Sequence, residues 1–96
     1  MFVILVNYQR PLDEVDALVP AHRAFLQRYY DSGVFLLSGR REPRDGGIIL
    51  ARADSRAEVE RIVSEDPFGQ QGLATYTIHE FLPSLAAPEF SHLINA

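Results

Sequence analysis

A chain of 96 residues, 47% hydrophobic and 23% charged, is long enough for one domain with a single core and short enough that association with a second copy would help to bury it. The absence of cysteine rules out a disulfide framework, a thiolate zinc site, an iron–sulfur cluster and a cysteine nucleophile; all nine cations are arginines, so Schiff-base chemistry on lysine and a P-loop lysine are ruled out as well. A net charge of -4 with dispersed arginines gives no basic stripe for nucleic acid, and no apolar run approaches the ~20 residues that cross a membrane.

Phe2 to Tyr8 is rich in β-branched and aromatic residues and is apolar on both alternating faces, with Phe2, Ile4, Val6 and Tyr8 on one and Val3 and Leu5 on the other. Its opening lacks the basic start and the length of a signal-peptide core, so it is read as a strand, and a cytoplasmic protein is expected. A strand apolar on both faces needs cover on both sides. Arg10-Pro11-Leu12 is a turn, with Asp13 the expected N-cap of the next helix and Asp16 in its first turn.

Leu18, His22, Phe25, Leu26 and Tyr29 recur at i, i+3, i+4 spacing and give one buried face to a helix over about 14–31. Pro20 removes a backbone donor one turn in, which predicts either a kink or a helix start nearer Pro20. Ser32-Gly33 ends the helix. Val34 to Leu37 is a short apolar strand ending at Ser38-Gly39, and a polar hairpin through Pro43 and Asp45-Gly46-Gly47 leads into a strand from Ile48 to Ala53. Arg40, Arg41 and Arg44 in this hairpin read as a solvated loop or as an anion contact at the mouth of a site.

Ser55 followed by Glu58 is a capping-box pattern that starts the second helix. Val59, Ile62 and Val63 form its apolar stripe, and Asp66 falls on the same stripe four residues after Ile62. Pro67 stops the helix, which would leave the Asp66 carboxylate at the negative pole of a helix and beside the buried side. An acid there calls for a specific partner; the plainer alternative is a helix-stop residue bonding nearby backbone N–H groups. Leu73 to Leu82 alternates as a strand, and the tail from Pro83 to Ala96 has no clear period, although Phe90, Leu93 and Ile94 can dock.

The order βαββαβ is the split βαβ pattern of ferredoxin-like α+β domains, an antiparallel sheet with two helices on one face. We therefore expect one domain over 1–96, with its core in 2–83 and a tail at 84–96. Two helices cover one face only, so the second apolar face of the first strand predicts a homodimer through the sheet faces.

The two helices lie side by side in this topology, so His22 and Asp66 can meet. An imidazole bonded to a carboxylate has its tautomer fixed and suits proton transfer near neutral pH; the alternative for His22 is a hydrogen-bonded core histidine. Phe68 can line a pocket or simply fill the core, and Tyr8 can offer a phenol at a cleft edge or merely pack. His79 and His92 are read as structural or surface residues, and three scattered histidines without ligand spacing make a metal site unexpected.

His22 within Ala-His-Arg-Ala-Phe-Leu, Ser38-Gly39 after an apolar strand, Asp45-Gly46-Gly47, Ala53-Asp54-Ser55, and Asp66-Pro67-Phe68 followed by Gly72-Leu73 together resemble the YciI-like (YCII-related) domain family over Phe2 to about Pro83. The resemblance implies a dimeric α+β barrel of ferredoxin-like subunits and a site around His22 and Asp66. Ser38 matches the family's small polar residue after the second strand and would hold a polar substrate group; its alternative is an ordinary strand-end hydroxyl. The family includes a dehydrochlorinase of chlorinated hydroxyquinols, and its fold resembles that of muconolactone isomerases. The implied activity is cofactor-free acid–base chemistry, an elimination or isomerisation of a small cyclic or enol-type substrate. The rival expectation is a non-catalytic dimeric module that binds a small ligand or a protein partner.

Overall fold

A computed structural model of the chain describes residues 1–94; positions 95 and 96, the end of the tail expected at 84–96, lie outside the described residues. In order, the elements are β1 (Phe2–Tyr8), α1 (Leu12–Ala17), α2 (Val19–Asp31), β2 (Phe35–Arg40), β3 (Gly46–Ala51), α3 (Arg56–Val63), α4 (Pro67–Gln70) and β4 (Ala74–Glu80), followed by a 3-10 helix at Pro88–Leu93. The strands form one sheet in the order β2-β3-β1-β4, each neighbouring pair antiparallel, which is the split βαβ arrangement. β1, the most continuously apolar strand, takes a central place between β3 and β4.

Register decides which side chains reach the helices. Phe2 pairs with Ala51, Ile4 with Ile49 and Val6 with Gly47, while Ile4 also faces Ile78 and Val6 faces Tyr76, so these residues share one face. Phe2, Ile4, Val6, Ile49 and Ala51 are buried there against Val15, Phe25, Val59, Ile62 and Phe68 from the helical layer. β3 must begin at Gly46, because a Cβ there would lie 1.9 Å from the Val6 carbonyl oxygen. The opposite face keeps Val3, Leu5 and Leu50 half-buried and leaves Leu37 60% and Ile48 41% exposed.

Several boundaries differ from the sequence reading. The helix expected over 14–31 is two: α1 ends at Leu18, whose φ of -103° and ψ of 2° interrupt it, and α2 restarts with Pro20 in its first turn. Its missing N–H is one the first turn would not have bonded. Asp13 is not the N-cap; Pro11 holds that place, and its carbonyl accepts from Glu14 and Val15 N–H at 3.0 and 3.2 Å, leaving Asp13 inside the first turn. The capping box forms in part, with Ser55 Oγ accepting from Glu58 N–H at 3.2 Å, but the Glu58 carboxylate takes the Asp54 N–H at 3.2 Å rather than that of Ser55. β3 stops at Ala51, short of Ala53, and β2 runs on through Ser38 and Gly39 to Arg40.

β2 also slips by one residue against β3: Phe35 faces Ala51, yet Leu37 faces Leu50. The extra residue turns the strand, so that Phe35 and then Ser38, opposite Ile49, both point to the helices. In an unbroken strand residues an odd number apart point to opposite faces. After β4, Leu82 and Leu85 are 83% and 91% exposed, and the 3-10 helix carries no buried residue. No helix among the described residues is long and apolar enough to cross a membrane.

Candidate active site

α2 carries His22 on the face that its apolar stripe turns inward, and α4 carries Phe68 beneath it. The two rings stack, 4.0 Å between centroids and 12° apart in plane. Asp66 immediately precedes α4. The carboxylate is not at the end of α3, as the spacing predicted: α3 stops at Val63, and Asp66 is instead the N-cap of α4, with Pro67 first in that helix. The local polarity is therefore the reverse of the expectation, because the acid meets free N–H groups at a helix start.

Asp66 is fully buried, the one charged side chain of the core among the described residues, and both of its oxygens are occupied. Oδ1 accepts from the Phe68 N–H at 3.1 Å and lies 2.7 Å from His22 Nδ1. Oδ2 accepts from the Tyr76 hydroxyl at 2.6 Å, and that hydroxyl in turn accepts from the Gly69 N–H at 3.1 Å. Burial, and then the bond to Asp66, push the Tyr76 phenol well above its usual range, so it stays a donor. Gly69 is needed for this approach, since a Cβ there would sit 2.8 Å from the Tyr76 ring. Among the described residues no buried side-chain nitrogen or oxygen lacks a partner.

A carboxylate can only accept, so the ring places an N–H at Nδ1, and Nε2 is the nitrogen not engaged by Asp66. His22 is 15% exposed at its side chain and lines a cavity of about 560 Å³. Phe68, Tyr8 and Ser38 line the same cavity, so four of the five residues singled out in the sequence share one wall system. Asp66 does not line it and lies behind the imidazole. Phe68 is both pocket wall and core, only 1% exposed, and Tyr8 packs its ring edge-on to it at 5.8 Å. The Ser38 hydroxyl is bonded to the Tyr30 hydroxyl, reaching from β2 to α2.

The arginine cluster divides. Arg41 turns to Asp45 at 2.8 Å and to Asn7 at 2.9 Å, and its guanidinium lowers the Asp45 carboxyl, which is the solvated-loop behaviour. Arg40 and Arg44 line the cavity, joined there by Arg23 from α2. Arg44 is tied to Asp16 at 2.5 Å, and that bond holds the Asp16 carboxyl below the usual carboxylate range. His79 and His92 are exposed and do not line the cavity, and no group of three or more potential metal ligands occurs among the described residues.

Sequence reasoning missed Tyr76, Tyr30 and Arg23. Tyr76 had a usable signal, because it alternates with Ala74 and Ile78 on the buried face, where a phenol must find a partner. Arg23 had none beyond its place next to His22.

No curated protein sequence matches the chain. The fold is similar to a solved structure of 5-chloro-2-hydroxyhydroquinone dehydrochlorinase from Burkholderia phenoliruptrix AC1100, in complex with 2,5-dihydroxybenzoquinone, with a TM-score of 0.71 over 84% of this chain and 93% of that one. At 22% identity the likeness is one of fold. The model of the YCII-related domain matches residues 1–82, and the chain belongs to the YCII-related domain family.

Proposed function

We propose that the chain is a small-molecule enzyme in which His22 Nε2 moves a proton and Asp66 holds the imidazole from behind. The observation that carries this is the 2.7 Å bond from His22 Nδ1 to a buried carboxylate, with the same imidazole lining a 560 Å³ cavity. A cavity of ~300–1,000 Å³ suits a small organic ligand. In an elimination, Nε2 takes a proton from carbon, the freed electron pair becomes the new double bond, and the leaving group departs with its own bonding pair. In an isomerisation the freed pair instead shifts an adjacent double bond by one position, and the imidazolium returns the proton to the carbon at the far end of that conjugated system. Asp66 favours the imidazolium formed in either case, and neither step calls for a cofactor.

Ser38, steadied by Tyr30, would hold a polar substrate group, and Phe68 and Tyr8 would close on the ring. The fold of a dehydrochlorinase solved with a dihydroxybenzoquinone supports a cyclic, enol-forming substrate. The assembly we propose is a homodimer in which the sheet face bearing Val3, Leu5, Leu37, Ile48 and Leu50 packs on that of a second copy, giving a dimeric α+β barrel with the cavity on the helix side of each subunit.

The test uses two substrate panels: chlorinated hydroxyquinols followed by chloride release, and enolisable cyclic ketones followed by deuterium uptake in heavy water. Turnover on one panel is expected, falling at least ~100-fold in His22→Ala with the variant still folded, the usual scale of a lost acid–base group. A wild-type chain inert on both panels, or a folded His22→Ala with unchanged rates, would make the His–Asp pair a structural feature of a binding module.

A further inference from the structure

We infer that the cavity beside His22 binds an organic anion, a compact apolar body bearing a carboxylate or enolate that Arg23 and Arg40 hold. The pairing of charges across the molecule leads there. Arg10, Arg28, Arg41, Arg44, Arg56 and Arg61 each have a carboxylate within 4.0 Å. Among the described residues the remaining three are Arg23, Arg40 and Arg52, and Arg52 donates to the Gly33 carbonyl at 3.2 Å. Arg23 and Arg40 have no such partner, and both line the cavity. A chain of net charge -4 thus leaves two of its few uncompensated cations at one hollow.

Placement puts both residues on the wall of one cavity. Arg23 follows His22 on α2. Arg40 ends β2 opposite Gly47, two residues beyond Ser38 and on the same face, because the slip in β2 turned both toward the helices. The third cationic wall residue, Arg44, is held by Asp16, so the lining keeps a surplus of positive charge. Guanidinium forks match the paired oxygens of a carboxylate, and a cleft of one sign raises the local concentration of the opposite one. Val6, Val19, Leu26, Ile49 and Phe68 add hydrocarbon to the same wall, which suits the ligand's ring rather than a fully hydrated inorganic ion. The anionic group is held by residues other than His22, so only the way the bound ring faces the imidazole rests on the acid–base reading.

Benzoate and benzamide, alike in shape and different in charge, are the probes, titrated into the full chain by NMR. Benzoate is expected to bind at least tenfold more tightly than benzamide and to weaken with added salt. Its affinity should fall at least tenfold in the Arg23→Gln/Arg40→Gln double variant, and stay at the wild-type value in Arg52→Gln. Equal binding of the two probes, or a folded double variant with wild-type benzoate affinity, would overturn the inference. His22→Asn separates the two readings: arginine-dependent benzoate binding with unaltered turnover in that variant sinks proton transfer and leaves the anion site, whereas lost turnover with equal probe binding does the reverse.

Discussion

Asp66 serves three donors at once, and its chemistry cannot be separated from its structural part. The Phe68 N–H makes it a helix cap, the Tyr76 hydroxyl satisfies its second oxygen, and only the remaining bond reaches His22. A buried carboxylate costs several kcal/mol to desolvate unless so surrounded, about the scale of a domain's whole stability. Tyr76→Phe would leave Oδ2 without its donor and is expected to cost about 1–3 kcal/mol, read as a lower melting temperature. The pH dependence has a definite sign. The Tyr76 phenol is raised above its unfolded value of 10.0, so its contribution is fully present below about that pH and is lost as pH rises toward the folded value. The melting-temperature gap between wild type and Tyr76→Phe should therefore narrow above about pH 10. Tyr29, raised by burial and by Glu65, acts alike in both proteins and cancels in the difference. A gap of zero near neutral pH would show that the Tyr76 bond adds nothing. His22 and Asp66 were legible at this scale because helical spacing and an Asp-Pro step mark them. Tyr76 was marked only by its place on the buried face of β4, because its partner lies across a turn, ten residues back.

At the scale of elements, sequence patterns gave the order and the faces, and failed where a single residue changes direction. The period of three to four from Leu18 to Tyr29 located α2, and Pro20 foretold the break with α1. The polarity at Asp66 was misread because α4 is a single turn, too short to show a period, and an acid before a proline fits a helix stop as well as a helix start. The slip in β2 was equally invisible. Leu36 and Leu37 read as one continuous strand, yet the extra residue there is what brings Ser38 and Arg40 to the cavity instead of the opposite face. A site wall built by a register shift has no composition of its own. It is fixed by how β2 meets β3 and by the Tyr30 hydroxyl waiting on α2.

For the whole molecule, the sheet has one covered face and one open one. Leu37 and Ile48, 60% and 41% exposed, stand on the open side with Val3, Leu5 and Leu50. An apolar sheet face of this kind is normally buried by another surface, and a second copy offers the same chemistry by symmetry. Sedimentation is expected to show a species of twice the chain mass, and Leu37→Glu with Ile48→Glu should convert it to the single chain. A wild-type protein that sediments as one chain would contradict the dimer. The β1 pattern announced the open face, and a second copy of the chain was the cover expected for it.

The claim that Asp66 fixes the His22 proton on Nδ1 and leaves Nε2 to the cavity is tested most directly by the ring ¹⁵N spectrum of His22 in the folded protein. The expected result is a proton on Nδ1, a free lone pair on Nε2, and a shift of the Nε2 signal when benzoate enters. A proton found on Nε2, or an Nε2 signal that ignores every ligand of the cavity, would contradict it.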